Sequence, residues 1–206
     1  MSEFVQLYWK RNRGWPWPAA SWGLDPMFGA DGWCHSCGIP LRDQCGPLTL
    51  KRPELTPLVG GWVPNWRFDT VCLEGSIAAR VIERFHVELR DVQWKGEPPG
   101  VARQIVIPTV GSAWFDPEKL HELAVDRHGT AGAKCAACGI WRWMPLTYGL
   151  LPPITSEALQ TDLDTIASPE WFGDGRQSFR QVLVRRELAE FIAAANPKDF
   201  KVQEVL

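Results

Sequence analysis

Cys34-His35-Ser36-Cys37-Gly38-Ile39 and Cys135-Ala136-Ala137-Cys138-Gly139-Ile140 are two versions of one short phrase, and their spacing decides how the chain is read. A Cys-x-x-Cys turn closed by glycine presents two thiolates to one metal ion, and a tetrahedral zinc site needs two such pairs. Cys34, Cys37, Cys135 and Cys138 are therefore the expected ligands of one structural Zn²⁺ joining the first third of the chain to the last. Two separate sites, one of them completed by His35 or His128, are the alternative.

Working outward from the first knuckle, Phe68 to Leu73 reads as a strand, Ser76 as the cap of a helix carrying Ile77, Ala78, Val81, Ile82 and Phe85, and Val87 to Val92 as a second strand. Beyond the second knuckle the same order recurs, with a strand over Phe179–Val184, a helix over Glu187–Ala195 and a strand over Phe200–Val205. Pro47-Leu48-Thr49 and Pro145-Leu146-Thr147 extend the correspondence. Four features in the same order point to an internal repeat. The expected fold class is α+β, with two pseudo-repeated halves, each a CxxCG knuckle followed by strand–helix–strand, joined at one zinc site. The boundaries follow: a Trp/Pro-rich N-terminal wrap over 1–33, a first repeat over 34–94, a connecting strand and helix over 95–134, and a second repeat over 135–206, all in one domain.

The connecting region carries a strand from Ala102 to Ile107 and a helix opened by Asp116 as N-cap with Pro117 at its first position. A short helix is expected from Ser156 to Ile166, and residues 51 to 66 read as loop. Residues 1 to 33 hold Trp9, Trp15, Trp17, Trp22 and Trp33 among prolines and glycines, which excludes a regular helix; a first strand, Phe4 to Tyr8, followed by irregular structure wrapping the core is expected. Trp15, Trp17 and Trp22 are candidate anchors for a partner. The competing reading is that they cover a thin core. Cys45 lacks a CxxC companion; it reads as a small buried apolar group, with a competing fifth ligand as the alternative.

Composition limits the functions. The 206 residues carry 22 basic and 24 acidic side chains, a formal charge of −2, which offers no general attraction to phosphate backbones or anionic lipid. Nucleic acid is accordingly disfavoured, with Lys10 to Arg13 as its one basic run. No apolar run approaches membrane-spanning length, and the start lacks the pattern of a secretory leader, so a cytoplasmic location is expected. Six cysteines in that compartment point to metal or free thiol. No P-loop, GxGxxG, HExxH or GxSxG occurs, and Ser112, Asp116 and His121 form no recognisable nucleophile site. A closed four-thiolate site leaves no coordination position for substrate, so no catalytic residue is assigned.

With the two CxxCG knuckles and the stretch from Phe179 to Val205 in view, the chain resembles the bacterial double-CXXCG motif family. That family is known from predatory and social bacteria and contains immunity-like proteins. It often has proline inside the knuckle where this chain has His35-Ser36 and Ala136-Ala137. The resemblance implies a non-enzymatic, zinc-dependent protein that neutralises or docks onto a partner protein such as a cognate toxin. A zinc-ribbon accessory subunit of an enzyme complex and a zinc-ribbon nucleic-acid module are the alternatives.

Overall fold

The computed structural model describes residues 3–10, 17–51, 60–94 and 102–205. Trp15 and the basic residues Arg11 and Arg13 lie outside them. The strands are β1 (Phe4–Trp9), β2 (Trp17–Pro18), β3 (Leu48–Lys51), β4 (Gly61–Trp62), β5 (Cys72–Glu74), β6 (Glu88–Trp94), β7 (Ala102–Val106), β8 (Gly132–Lys134), β9 (Trp141–Trp143), β10 (Thr165–Ala167), β11 (Trp171–Phe172), β12 (Val182–Arg185) and β13 (Phe200–Gln203). The α-helices are α1 (Leu24–Phe28), α2 (Gly75–Ile82), α3 (Pro117–His128) and α4 (Arg186–Ala195). The fold is mixed α+β, and no helix among the described residues is long and apolar enough to cross a membrane.

Two sheets dominate, with strand orders β2-β3-β6-β7-β5-β4 and β10-β12-β1-β13. In each, two strands separated in sequence by one helix run parallel to each other with a third strand between them, antiparallel to both. The middle strands come from unexpected places. β7, which follows β6, fills the first gap, and β1, the strand expected at Phe4 to Tyr8, fills the second, so that strand lies in the interior of a sheet.

The registers agree residue for residue. Leu73 pairs with Arg103 as Val184 pairs with Val5, and Arg90 pairs with Gln104 as Gln203 pairs with Gln6. The two middle strands thus stand 98 positions apart on both flanks (103 − 5 and 104 − 6). The outer pairs agree too: Trp62 opposes Cys72 as Ile166 opposes Leu183.

Alternation along these strands sends side chains into different cores. Leu73, Ile77, Ala78 and Val81 meet Val184, Leu188, Ala189 and Ile192 in one buried cluster completed by Val5, Ile105 and Phe200. The buried positions of α2 and α4 recur at i, i+1 and i+4, the stripe that an amphipathic helix lays on a core. Cys72 and Ala102 turn the other way, into a cluster with Trp62 and Trp94, while Leu183 and Phe4 join Trp114, Phe115 and Phe172.

Several local expectations are corrected. Glu74, not Ser76, is the N-cap of α2; its carboxylate accepts from Ser76 Oγ (2.5 Å) and from Gly60 N (2.6 Å), tying down a neighbouring loop. Phe68 stands in a turn, where Thr70 N donates to Arg67 O (3.2 Å), so the strand begins later, at Cys72. Within 51 to 66 the pair Gly61–Trp62 is a strand, and residues 52–59 lie outside the described set. The segment from Ser156 forms only a 3₁₀ turn to Leu159 before the buried strand β10, because the open edge of β12 captures Thr165–Ala167. Asp116 caps α3 as its spacing predicts, accepting from Glu118 N and Lys119 N. That engagement removes its carboxylate from any triad with Ser112 and His121.

Candidate metal centre

The two knuckles close with the same hydrogen bonds. Cys34 N donates to Ile39 O (2.8 Å) and Gly38 N to Cys34 O (2.7 Å); Cys135 N donates to Ile140 O (2.9 Å) and Gly139 N to Cys135 O (2.8 Å). Each glycine has a positive φ, +79° at Gly38 and +75° at Gly139, a conformation that costs any L-residue with a Cβ. Flanking them, Trp33 bridges to Pro40, and Lys134 pairs with Trp141 in the β8–β9 hairpin.

Folding brings the four sulfurs together. Cys34 Sγ lies 3.7 Å from Cys135 Sγ, Cys37 Sγ lies 3.7 Å from Cys138 Sγ, and all four fall within 4.8 Å of one another. A disulfide would need about 2.05 Å, so these are four free thiols. In a tetrahedral site with Zn–S bonds of about 2.3 Å the sulfurs stand about 3.8 Å apart, so the donor set and its spacing fit a tetrathiolate metal ion. Ile39 N points at Cys37 Sγ and Ile140 N at Cys138 Sγ, contacts that favour the thiolate needed for ligation.

The surroundings differ sharply between the knuckles. Cys34 and Cys37 are buried, while Cys135 and Cys138 are half-buried. Burial pushes the Cys37 and Cys138 thiols up. Backbone N–H groups of Cys138 and Ala137 aimed at its sulfur lower the Cys135 thiol to about 6. Metal entering this cluster at neutral pH therefore displaces protons from the Cys37 and Cys138 thiols. Arg142 on β9 reaches across to the first knuckle, donating through Nη1 toward Cys37 O (3.2 Å) and Gly175 O (2.8 Å), and Ser178 Oγ donates to Cys37 O (2.6 Å).

Neither candidate histidine joins. His35 stacks on Trp33 with ring centroids 4.0 Å apart and meets Ala30 O through Nε2 (2.7 Å), while His128 Nε2 meets Pro145 O (2.8 Å). Cys45, expected to be buried, is exposed: its N–H donates to Met27 O (2.8 Å) and holds a surface turn, while Cys72 is fully buried.

Of the tryptophans singled out as anchors, Trp17 and Trp22 are 39% and 38% exposed. They cluster with Trp66, which sequence reading missed because it sits more than forty positions downstream; Trp22 and Trp66 stack at 4.7 Å and Trp17 lies 6.3 Å from Trp66. Ser21, Trp22 and Trp66 are the non-glycine residues with positive φ among the described residues. Strained backbone thus presents two of the three rings.

Comparison of the chain with protein families, with curated proteins and with solved structures finds no match.

Proposed function

We propose that Cys34, Cys37, Cys135 and Cys138 hold one structural zinc ion, and that the protein is a non-enzymatic, immunity-like interaction protein that docks onto a partner protein and neutralises it. The observation that carries the metal reading is the convergence of four thiols, two from each end of the chain, at tetrahedral spacing. With every coordination position supplied by protein, zinc contributes stability and no chemistry at the metal. The likeness to the double-CXXCG family supplies the neutralising role, and the exposed Trp17 and Trp22, backed by the half-buried Trp66, supply a surface of the kind that anchors protein partners.

The two halves are, in this reading, copies of one ancestral unit. Equal registers in both four-strand sets and equal knuckle hydrogen bonds support it. Each copy begins with its own middle strand, β1 or β7, and lends it to the sheet of the other copy, so that zinc and a reciprocal strand exchange join the halves together.

Co-expression tests the function. Survival of cells making the partner toxin should depend on this protein and fall when Trp17 and Trp22 are both changed to Ala, while zinc content stays the same. Equal survival with and without the protein would defeat the reading.

A further inference from the structure

A cleft of about 730 Å³ lies along β7 and holds polar groups that the fold leaves unmatched. Arg67 is 5% exposed, and its Nε has no hydrogen-bond partner among the described residues. Its Nη2 stands 3.4 Å from Asp69 Oδ1, an ion pair without hydrogen-bond alignment, and that oxygen is itself unmatched. Arg180 Nε is also buried and unmatched, with the guanidinium held 4.7 Å above the Trp171 ring. Burial lowers the Arg180 pKa; the Asp69 charge opposes that and the Arg67 charge adds to it, which places the three groups within reach of one another.

Several other polar groups of the cleft are already engaged. Gln104 and Gln44 exchange amide hydrogen bonds (3.0 and 3.1 Å), Arg42 Nε donates to Phe28 O (2.5 Å), and Arg90 donates to Gln44 O (2.5 Å) and Glu88 Oε1 (3.1 Å). What is left buried is two guanidinium donors and one carboxylate acceptor, together carrying +1; the Asp43 carboxylate also lines the cleft, but at its exposed, solvated rim.

Buried polar groups in native proteins are matched almost without exception, so such a set implies a ligand of complementary pattern. It needs one negative charge spread over two acceptor atoms, with a donor beside them. A carboxylate suits the planar guanidinium forks. A phosphate dianion carries a second charge and would set an anionic oxygen against Asp69. We infer that this cleft binds a carboxylate with a neighbouring N–H, as in an N-acylated amino acid or the C-terminal residue of a peptide, with Arg67 and Arg180 on the carboxylate and Asp69 on the N–H. The inference is independent of the zinc and of the docking role proposed above.

The test uses the full-length, metal-loaded protein and follows the Arg67 and Arg180 Nε–Hε resonances by NMR during titration with N-acetylglycine. Both resonances should shift saturably, N-acetylglycine amide should leave them unmoved, and acetate should bind more weakly. Arg180→Lys should weaken N-acetylglycine about tenfold or more, as expected for losing one bidentate charged contact. Asp69→Ala, which removes the acceptor for the N–H, should abolish the preference for N-acetylglycine over acetate. A short peptide with a free C-terminus, compared with its amidated form, separates the two sources: tighter binding than N-acetylglycine marks a peptide ligand, equal binding a small one, and either upholds the site. No saturable shift, an equal response to inorganic phosphate at matched ionic strength, or wild-type affinity in Arg180→Lys would overturn it. The comparison of N-acetylglycine with its amide needs no variant, so a misfolded mutant leaves the question decidable.

Discussion

The two knuckles have the same backbone hydrogen bonds and the same glycine conformation, yet one is packed inside the protein and the other stands at its surface. Around the first, His35 stacks on Trp33, and Ser178 and Arg142 both reach Cys37 O. The second sits at the tip of the β8–β9 hairpin, with Trp141 exposed beside it. Local sequence therefore sets the ligand geometry, while tertiary surroundings set how easily each sulfur is reached. A shared tetrad makes the two knuckles equal for metal binding and unequal for everything else, and that contrast can be tested from its largest consequence to its smallest.

Metal loss comes first. Structural zinc contributes apparent free energies of about 10–16 kcal/mol in zinc-finger peptides. Cys37→Ser and Cys138→Ser should each release the metal and lower thermal stability to a similar extent, despite their different burial. A stable, metal-loaded Cys138→Ser protein would break the equivalence.

Next come the helices that share one core. Leu188→Ala and Ile77→Ala remove side chains from the same cluster, and each should cost about 2–5 kcal/mol in denaturant unfolding. A large loss in one half alone would mean that the halves unfold separately.

The glycines should then separate the knuckles. A Cβ at Gly38 would lie 2.4 Å from Arg176 O, whereas at Gly139 the nearest atom is Lys134 Cε at 3.8 Å. Gly139→Ala should cost about 1–2 kcal/mol from backbone strain alone. Gly38→Ala should cost clearly more, because backbone must also move; equal melting temperatures for the two variants would contradict the packing described.

The smallest effect is one of rate. In metal-free protein at neutral pH, Cys135 should alkylate before Cys37, since its thiol is lowered to about 6 and is half-exposed. Its alkylation rate should fall about tenfold per pH unit below about 6, as the thiol takes up its proton, while it stays ahead of Cys37. With metal bound, Cys45 should be the thiol that still reacts, because it is exposed and lies outside the tetrad.

Sequence showed the tetrad clearly because each half of it is a contiguous phrase whose backbone chemistry is local. The helices α2, α3 and α4 were legible for the same reason: apolar spacing, and at α3 the Asp116-Pro117 start, are written within a few residues. The placement of β1 and β7 as middle strands was not legible, since a strand's sequence records which side chains it buries but not which neighbour it pairs with. Gln6 and Gln104 occupy matching registers in different sheets, and only pairing reveals that they correspond. The Trp cluster was half legible for a similar reason, as Trp66 reaches Trp22 through tertiary structure. Arg67, Asp69 and Arg180 carried no signal, because single charged residues in a loop or at alternate positions of a strand read as solvent-facing until burial is known.

The central claim is that one metal ion joins the two ends of the chain. Native mass spectrometry of the purified protein, beside the Cys135→Ser/Cys138→Ser double variant, measures it directly. The account predicts one zinc per chain in the wild type and none in the variant. Two metal ions per chain, or a first knuckle that keeps its metal when the second has lost both sulfurs, would contradict it.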